Sequence, residues 1–174
     1  GPLAGPVAAG VVILPPQPEM LVRLAGVRDS KQMTPAQREA ACARIKEAAL
    51  GYAVGFAEAA EIDAMGILPA TRLAAWRALQ ALEAAPEHLL LDCLFLQEVD
   101  LPQTSLIKGD CRSLSVAAAS VLAKTARDAR LVAMEQEYPG YGFARHKGYG
   151  TAAHRAALQR LGPCLEHRRS FRLG

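Results

Sequence analysis

The apolar run at residues 7–14, VAAGVVIL, constrains the fold more than any other feature of the chain. It is interrupted only by Gly10 and stopped by Pro15 and Pro16. A run without polar alternation suits a strand buried on both faces, which places it inside a sheet rather than on a surface. The segments that follow alternate with it. A polar stretch, VRDSKQM, leads into a helix for which Thr34 is the N-cap, Pro35 the first helical residue and Gln37 the reciprocal partner of a capping box. GYAVGFAEA reads as a strand, and ILPATRLAAWRALQALEAAP as a helix. In that helix Leu73, Trp76, Leu79 and Leu82 form one apolar stripe and Trp76 packs into the core.

HLLLD and TSLIKGD are two further short strands, each ending in an acid. SLSVAAASVLAKTARDARLVAMEQEY is a long helix whose small residues permit close packing. A glycine-rich basic loop, PGYGFARHKGYGT, a short helix near 152–161 and a basic tail complete the chain. Strands and helices in alternation, with no repeat and no linker, imply a single α/β domain over 1–174 around a partly parallel sheet.

Composition narrows the function classes. With 51% hydrophobic and 21% charged residues, the chain is neither disordered nor membrane-spanning in character, and no apolar run approaches the roughly 20 residues of a spanning helix. The net charge of +3 is mild but unevenly spread. Arg168, Arg169 and Arg172 crowd the tail, and Arg145, His146 and Lys147 the glycine-rich loop, without local acids. Such patches either attract polyanions or form solvated surface. Cys42, Cys93, Cys111 and Cys164 lack the paired spacing of a zinc site, which points to reduced thiols in a cytoplasmic protein.

Chemistry concentrates at the strand ends. Ligands of open α/β sheets gather beyond the carboxyl ends of strands, so Asp92 and Asp110 would face one mouth if their strands are neighbours. Paired carboxylates repel unless a cation lies between them, and oxygen donors suit magnesium or manganese. Taken alone, Asp110 reads more naturally as the cap of the following helix, and two carboxylates are few for a metal pair. Cys93 and Cys111, each next to an acid, are expected to be small side chains behind the site rather than a disulfide or ligands. Tyr149, between two glycines and just after Lys147, suits stacking on a base or sugar. Lys31, in RDSK ahead of a helix, faces the direction from which a phosphate would approach.

The segments VRDSKQMTPAQRE, LLLD, IKGDCRSLSVAAASVLAKTARD, YPGYGFARHKGYGT and HRRSF, in this order, resemble bacterial ribonuclease HII, the type 2 ribonuclease H family, over nearly the whole chain. The resemblance implies a ribonuclease H-like fold with a mixed central sheet flanked by helices. It implies an endonuclease that hydrolyses the RNA strand of RNA–DNA hybrids and incises 5′ of single ribonucleotides in duplex DNA, leaving 3′-hydroxyl and 5′-phosphate ends. Its settings are RNA primer removal and ribonucleotide excision repair, by a cytoplasmic monomer without membrane association.

The cofactor implied is a divalent metal, Mn2+ or Mg2+, acting in two-metal phosphodiester hydrolysis. Asp92 and Asp110 match two of the family's four carboxylates and are the expected catalytic metal ligands. Gly1, Lys31, Lys147, Tyr149 and Arg169 are the expected nucleic-acid contacts. The other two acids belong to an Asp-Glu-Ala-Gly-Arg-Gly-Pro strand, whose last two residues match Gly1 and Pro2. The expectation is therefore an N-terminally incomplete domain that lacks the first, central strand, leaves two strand edges unpaired and is impaired as a catalyst. Gly66 stands where the family commonly has asparagine, and Cys93 and Cys111 stand where glycine and alanine are expected. The competing readings are a binding protein that has lost its chemistry and another nuclease of the same fold.

Overall fold

The computed structural model describes residues 1–173. Strand β1 (Val7–Ile13) pairs antiparallel with β2 (Gly51–Ala57), from Val7 opposite Ala57 to Ile13 opposite Gly51. Between them lie α1 (Glu19–Arg23) and α2 (Pro35–Ala48); α3 (Ala59–Met65) and α4 (Ile67–Gln80) follow. A second pair, β3 (Leu89–Asp92) and β4 (Gln103–Leu106), runs parallel. The long α5 (Leu114–Glu137), a single turn α6 (Phe143–His146) and α7 (Ala152–Leu161) complete the domain.

Local signals account for the helix boundaries. Thr34 Oγ1 accepts the Gln37 N–H at 3.3 Å while Gln37 Oε1 accepts the Thr34 N–H at 2.9 Å, so α2 starts on a complete capping box. The α5 N-cap is Ser113, whose hydroxyl accepts the Val116 N–H. Asp110 is thereby excluded as the cap of α5.

Two glycines set how closely the layers approach. A Cβ on Gly10 would lie 2.3 Å from the Ala119 carbonyl oxygen of α5, and one on Gly55 would lie 2.1 Å from the Ala74 carbonyl oxygen of α4. Gly10 and Gly55 face opposite sides of the β1–β2 pair, so α5 covers one face and α4 the other. Val12 and Val54 join Ile45, Ala118, Val121 and Leu122 on the α5 side, and Val7 and Ala9 join Ile62, Ala70 and Ala74 on the α4 side.

The expected leucine stripe on α4 is overturned here. Its fully buried residues are Ala70, Ala74 and Ala78, and Trp76 is 40% exposed. A helix pressed against the backbone at Gly55 must present methyl groups there, which turns its larger side chains outward.

The strands form two separate pairs, with the unpaired edges expected above on β1 and β3. Among the described residues β1 pairs with β2 and β3 with β4, with no ladder joining the two halves. Between them lies a cavity of about 690 Å³, walled by β1 and β3 and bounded by residues of α4 and α5. Its presence explains why β1 is only half-buried along its whole length and why Leu90 of β3 is 46% exposed. Neither strand is the fully buried element that its apolar sequence suggests.

Candidate active site

Parallel pairing of β3 and β4 brings their carboxyl ends side by side, with Asp92 opposite Leu106. The chain then turns through Ile107 and Lys108 into the 3-10 turn Gly109–Cys111, so Asp110 stands one turn beyond the strand rather than at its end. The turn is anchored on the other acid: Asp92 Oδ1 accepts the Gly109 N–H at 2.8 Å. Gly109 is buried against Val116 and the Asp92 backbone, and a Cβ there would crowd Val116 at 3.1 Å. The strand pairing and the glycine together bring Asp92 and Asp110 to one place.

Three residues other than glycine have left-handed backbone: Cys93, Lys108 and Lys147 at φ 49°, 54° and 50°. All three flank the residues singled out for chemistry, the usual location of backbone strain. At Cys93 the geometry explains why glycine would be the natural occupant. Cys93 and Cys111 are free and exposed, which corrects the expectation that they pack behind the site. Partial desolvation and the adjoining Asp110 carboxylate push the Cys111 thiol up, so it stays protonated.

On the other side of the cavity stands Tyr149, 44% exposed. Lys124 Nζ lies 5.5 Å and the Arg127 guanidinium carbon 5.9 Å from its ring centre. Arg127 is buried and donates to the carbonyls of Pro6 (2.9 Å), Lys147 (3.0 Å) and Ala4 (3.1 Å). Arg168 is buried as well, donating to Gly5 and Pro6. Burial lowers both guanidinium pKa values, that of Arg168 to about 10, so both are cations at neutral pH. Both donate to carbonyl oxygens rather than to a carboxylate, with Asp128 near Arg127 and Asp63 near Arg168, and Asp128 also pairs with Lys124 at 2.7 Å. The basic tail is thus not simply solvated surface: Arg168 holds the N-terminal segment in place.

The structure gathers the expected residues unevenly. Asp92, Lys31 and Tyr149 line the same cavity, and Asp110 adjoins it through Gly109. The Lys31 turn is tied to α5 by the Ser30–Ser120 hydroxyl pair at 2.8 Å and by the Arg38–Asp128 ion pair at 3.1 Å. Gly1 is exposed beside Phe171, and the next residue, Pro2, bridges to Tyr149. Lys147 is folded back, its ammonium donating to the Ala144 carbonyl, so its charge is partly spent within its own loop. Arg169 lies apart, its backbone N–H donating to Asp63 at 2.8 Å. Sequence reasoning missed Lys124 and Arg127. Their signal was a basic pair three residues apart on a helix whose small face has to pack.

Asp92 and Asp110 are hard oxygen donors of the type magnesium and manganese take. No third His, Cys, Asp or Glu joins them in a metal-binding group among the described residues. The donor set fits such an ion in kind and falls short in number.

Among solved structures, the chain resembles the ribonuclease H2 of Pyrococcus horikoshii, with a TM-score of 0.79 at 24% identity, covering 99% of this chain and 90% of that one. It also resembles the ribonuclease HII of Archaeoglobus fulgidus, solved with PCNA, with a TM-score of 0.76 at 22% identity over 97% and 87% of the two chains. The fold is that of the ribonuclease H-like enzymes. A family model described as Ribonuclease HII matches residues 1–173. Ribonuclease HII of Nitrosococcus oceani is 51% identical over 99% of this chain and 84% of its own length; that of Moorella thermoacetica is 50% identical over 99% and 82%. The chain belongs to the ribonuclease HII family.

Proposed function

We propose that this domain hydrolyses the RNA strand of RNA–DNA hybrids and incises duplex DNA on the 5′ side of an embedded ribonucleotide, leaving 3′-hydroxyl and 5′-phosphate ends. The observation that carries the proposal is that Asp92, which lines the cavity, holds the turn beside Asp110 through the Gly109 N–H, while Tyr149, with Lys124 and Arg127 within 6 Å of its ring centre, lines the same cavity.

Asp92 and Asp110 would hold divalent cations, magnesium or manganese, whose chemistry is activation of water and neutralisation of charge at the scissile phosphate. The protein's own groups do the rest. The Tyr149 ring stacks at the sugar that follows the ribonucleotide, and the nearby backbone of Gly1 approaches the 2′-hydroxyl that separates RNA from DNA. Lys31 meets a phosphate and sets register without reading sequence, and Lys124 joins it on leaving its 2.7 Å ion pair with Asp128. Lys147 and Arg169 would join them from the rim, Lys147 only after releasing the Ala144 carbonyl.

The cavity bears on the missing pair of carboxylates. β1 and β3 each present an edge without a ladder partner, and α4 and α5 bound the space between them. An extended segment satisfies two strand edges at once, whereas a helix or a loop does not. A strand carrying an acid pair would complete both the sheet and the donor set. The 174 residues by themselves are accordingly expected to bind metal weakly and to cleave poorly.

The test is cleavage of duplex DNA containing one ribonucleotide, with manganese or magnesium. Residues 1–174 alone are compared with the same chain extended by an Asp-Glu-Ala-Gly-Arg strand ahead of Gly1. A single cut 5′ of the ribonucleotide, strong only in the extended chain, is expected. Hybrid binding without any cut in the extended chain would make this a binding protein, and cutting of ribonucleotide-free DNA would make it a different nuclease.

A further inference from the structure

Three buried histidines lie beneath the Tyr149 loop. His146, His154 and His167 are 9%, 0% and 1% exposed, and the first two stack with ring centres 4.2 Å apart. Their protonation can be deduced from the groups at either end of the chain of contacts. A backbone amide can only donate, so the Cys164 N–H, 3.0 Å from His167 Nδ1, makes that nitrogen an acceptor. The proton of neutral His167 is then on Nε2, where it donates to His154 Nε2 at 3.1 Å. His154 in turn carries its proton on Nδ1, and that N–H donates to the Tyr149 carbonyl at 2.9 Å, an oxygen that can only accept. Each step is consistent with the next, and both histidines are neutral. His146 is fixed in the same way: the Gly148 N–H donates to its Nδ1, and its Nε2–H donates to the Tyr141 carbonyl.

We infer that His154, oriented by His167, is the positioning residue for Tyr149: a one-way hydrogen-bond relay from the Cys164 amide to the Tyr149 carbonyl sets where the aromatic ring stands. The loop needs such a restraint. Lys147 and Gly148, directly before Tyr149, both have left-handed backbone, at φ 50° and 80°. Glycine adopts that conformation without cost, but Lys147 holds it only with the support of surrounding bonds. The α7 N-cap, Thr151, lies between the ring and His154, so the helix start and the loop are locked together. None of these histidines touches Asp92 or Asp110, and the inference rests on the role given to Tyr149 above.

Two measurements test it. Long-range proton–nitrogen spectra of the imidazoles at neutral pH should show His154 protonated at Nδ1, and His146 and His167 at Nε2; His154 protonated at Nε2 overturns the relay. The second compares affinity for duplex DNA containing one ribonucleotide with affinity for the all-DNA duplex. His154→Asn keeps a donor near the Nδ1 position and should retain the ribonucleotide preference. His154→Leu should lose it by roughly tenfold, the equivalent of one hydrogen bond. Both variants lose the His167 contact and should melt lower, so a purely structural role would move them together. Equal preference in His154→Leu and the parent overturns the positioning role. A parent without any preference overturns the reading of Tyr149, and the positioning inference with it, while the imidazole spectra still report separately on the relay.

Discussion

Asp92, at the end of β3, accepts the backbone N–H of Gly109 beyond the neighbouring β4 at 2.8 Å, so the residue that ends one strand fixes the turn that carries the second acid. An amide oxygen can accept the same bond, which separates the structural role of Asp92 from its charge. Asp92→Asn should keep the turn and leave the unfolding free energy within about 0.5 kcal/mol while reducing manganese affinity, because the substitution removes only the negative charge. Asp110→Asn should do the same. Manganese titration followed by electron paramagnetic resonance reads the affinity; unchanged binding in both variants would remove these acids from the metal site.

Close approach at Gly10 makes a second prediction. A methyl group there would sit 2.3 Å from a backbone oxygen of α5, which cannot swing aside as a side chain can. Gly10→Ala should therefore cost about 2–3 kcal/mol by overpacking. Gly26→Ala provides a contrast: nothing lies within 4 Å of its Cβ direction, and its loss comes only from backbone strain at φ 85°. Urea denaturation of the two variants checks the order.

Cys93 holds a left-handed backbone with an exposed side chain. Glycine relieves that strain and gives up little packing, so Cys93→Gly should stabilise the domain by about 1 kcal/mol. A lower melting temperature in this variant would mean that the thiol contact to the Leu106 carbonyl, at 3.6 Å, outweighs the backbone strain.

Stability should fall on mild acidification. Burial, reinforced by His154, His146 and Arg169, lowers the pKa of His167 to about 4, and burial lowers that of His154. The unfolded chain takes up a proton near the ordinary value of 6.5, whereas the folded relay has no place for one. The contribution is therefore complete above pH 6.5 and disappears as pH falls toward 4, by about 3 kcal/mol for a shift of this size. Around the relay, Arg155 adds to the same repulsion at His154, and burial raises the pKa of the neighbouring Glu166. Denaturant midpoints measured across that window should decline with acid; a flat profile contradicts the neutral relay.

Local chemistry was legible wherever one short segment contained its own cause. Thr34, Pro35 and Gln37 announced the start of α2, and an apolar run ending in prolines announced β1. The α4 helix was misread because its large residues form a regular stripe, while the contact surface is decided by its neighbour. Gly55 has no side chain, so the helix that covers it must offer Ala70, Ala74 and Ala78. The basic tail was misread for a related reason: charge in a sequence does not show that Arg168 finds two carbonyl oxygens in a buried segment more than a hundred residues away.

By itself, the sequence determined the order of strands and helices, the capping box that starts α2, and Asp92 at the end of an apolar strand, all properties of residues close together along the chain. Only the tertiary structure decided that Asp92 holds the turn beside Asp110, that α4 and α5 bound the space between β1 and β3, and that Lys124, Arg127 and a neutral histidine relay lie around Tyr149. Those relationships depend on strand neighbours, helix faces and the proton each buried nitrogen carries, and contacts between distant residues set all three.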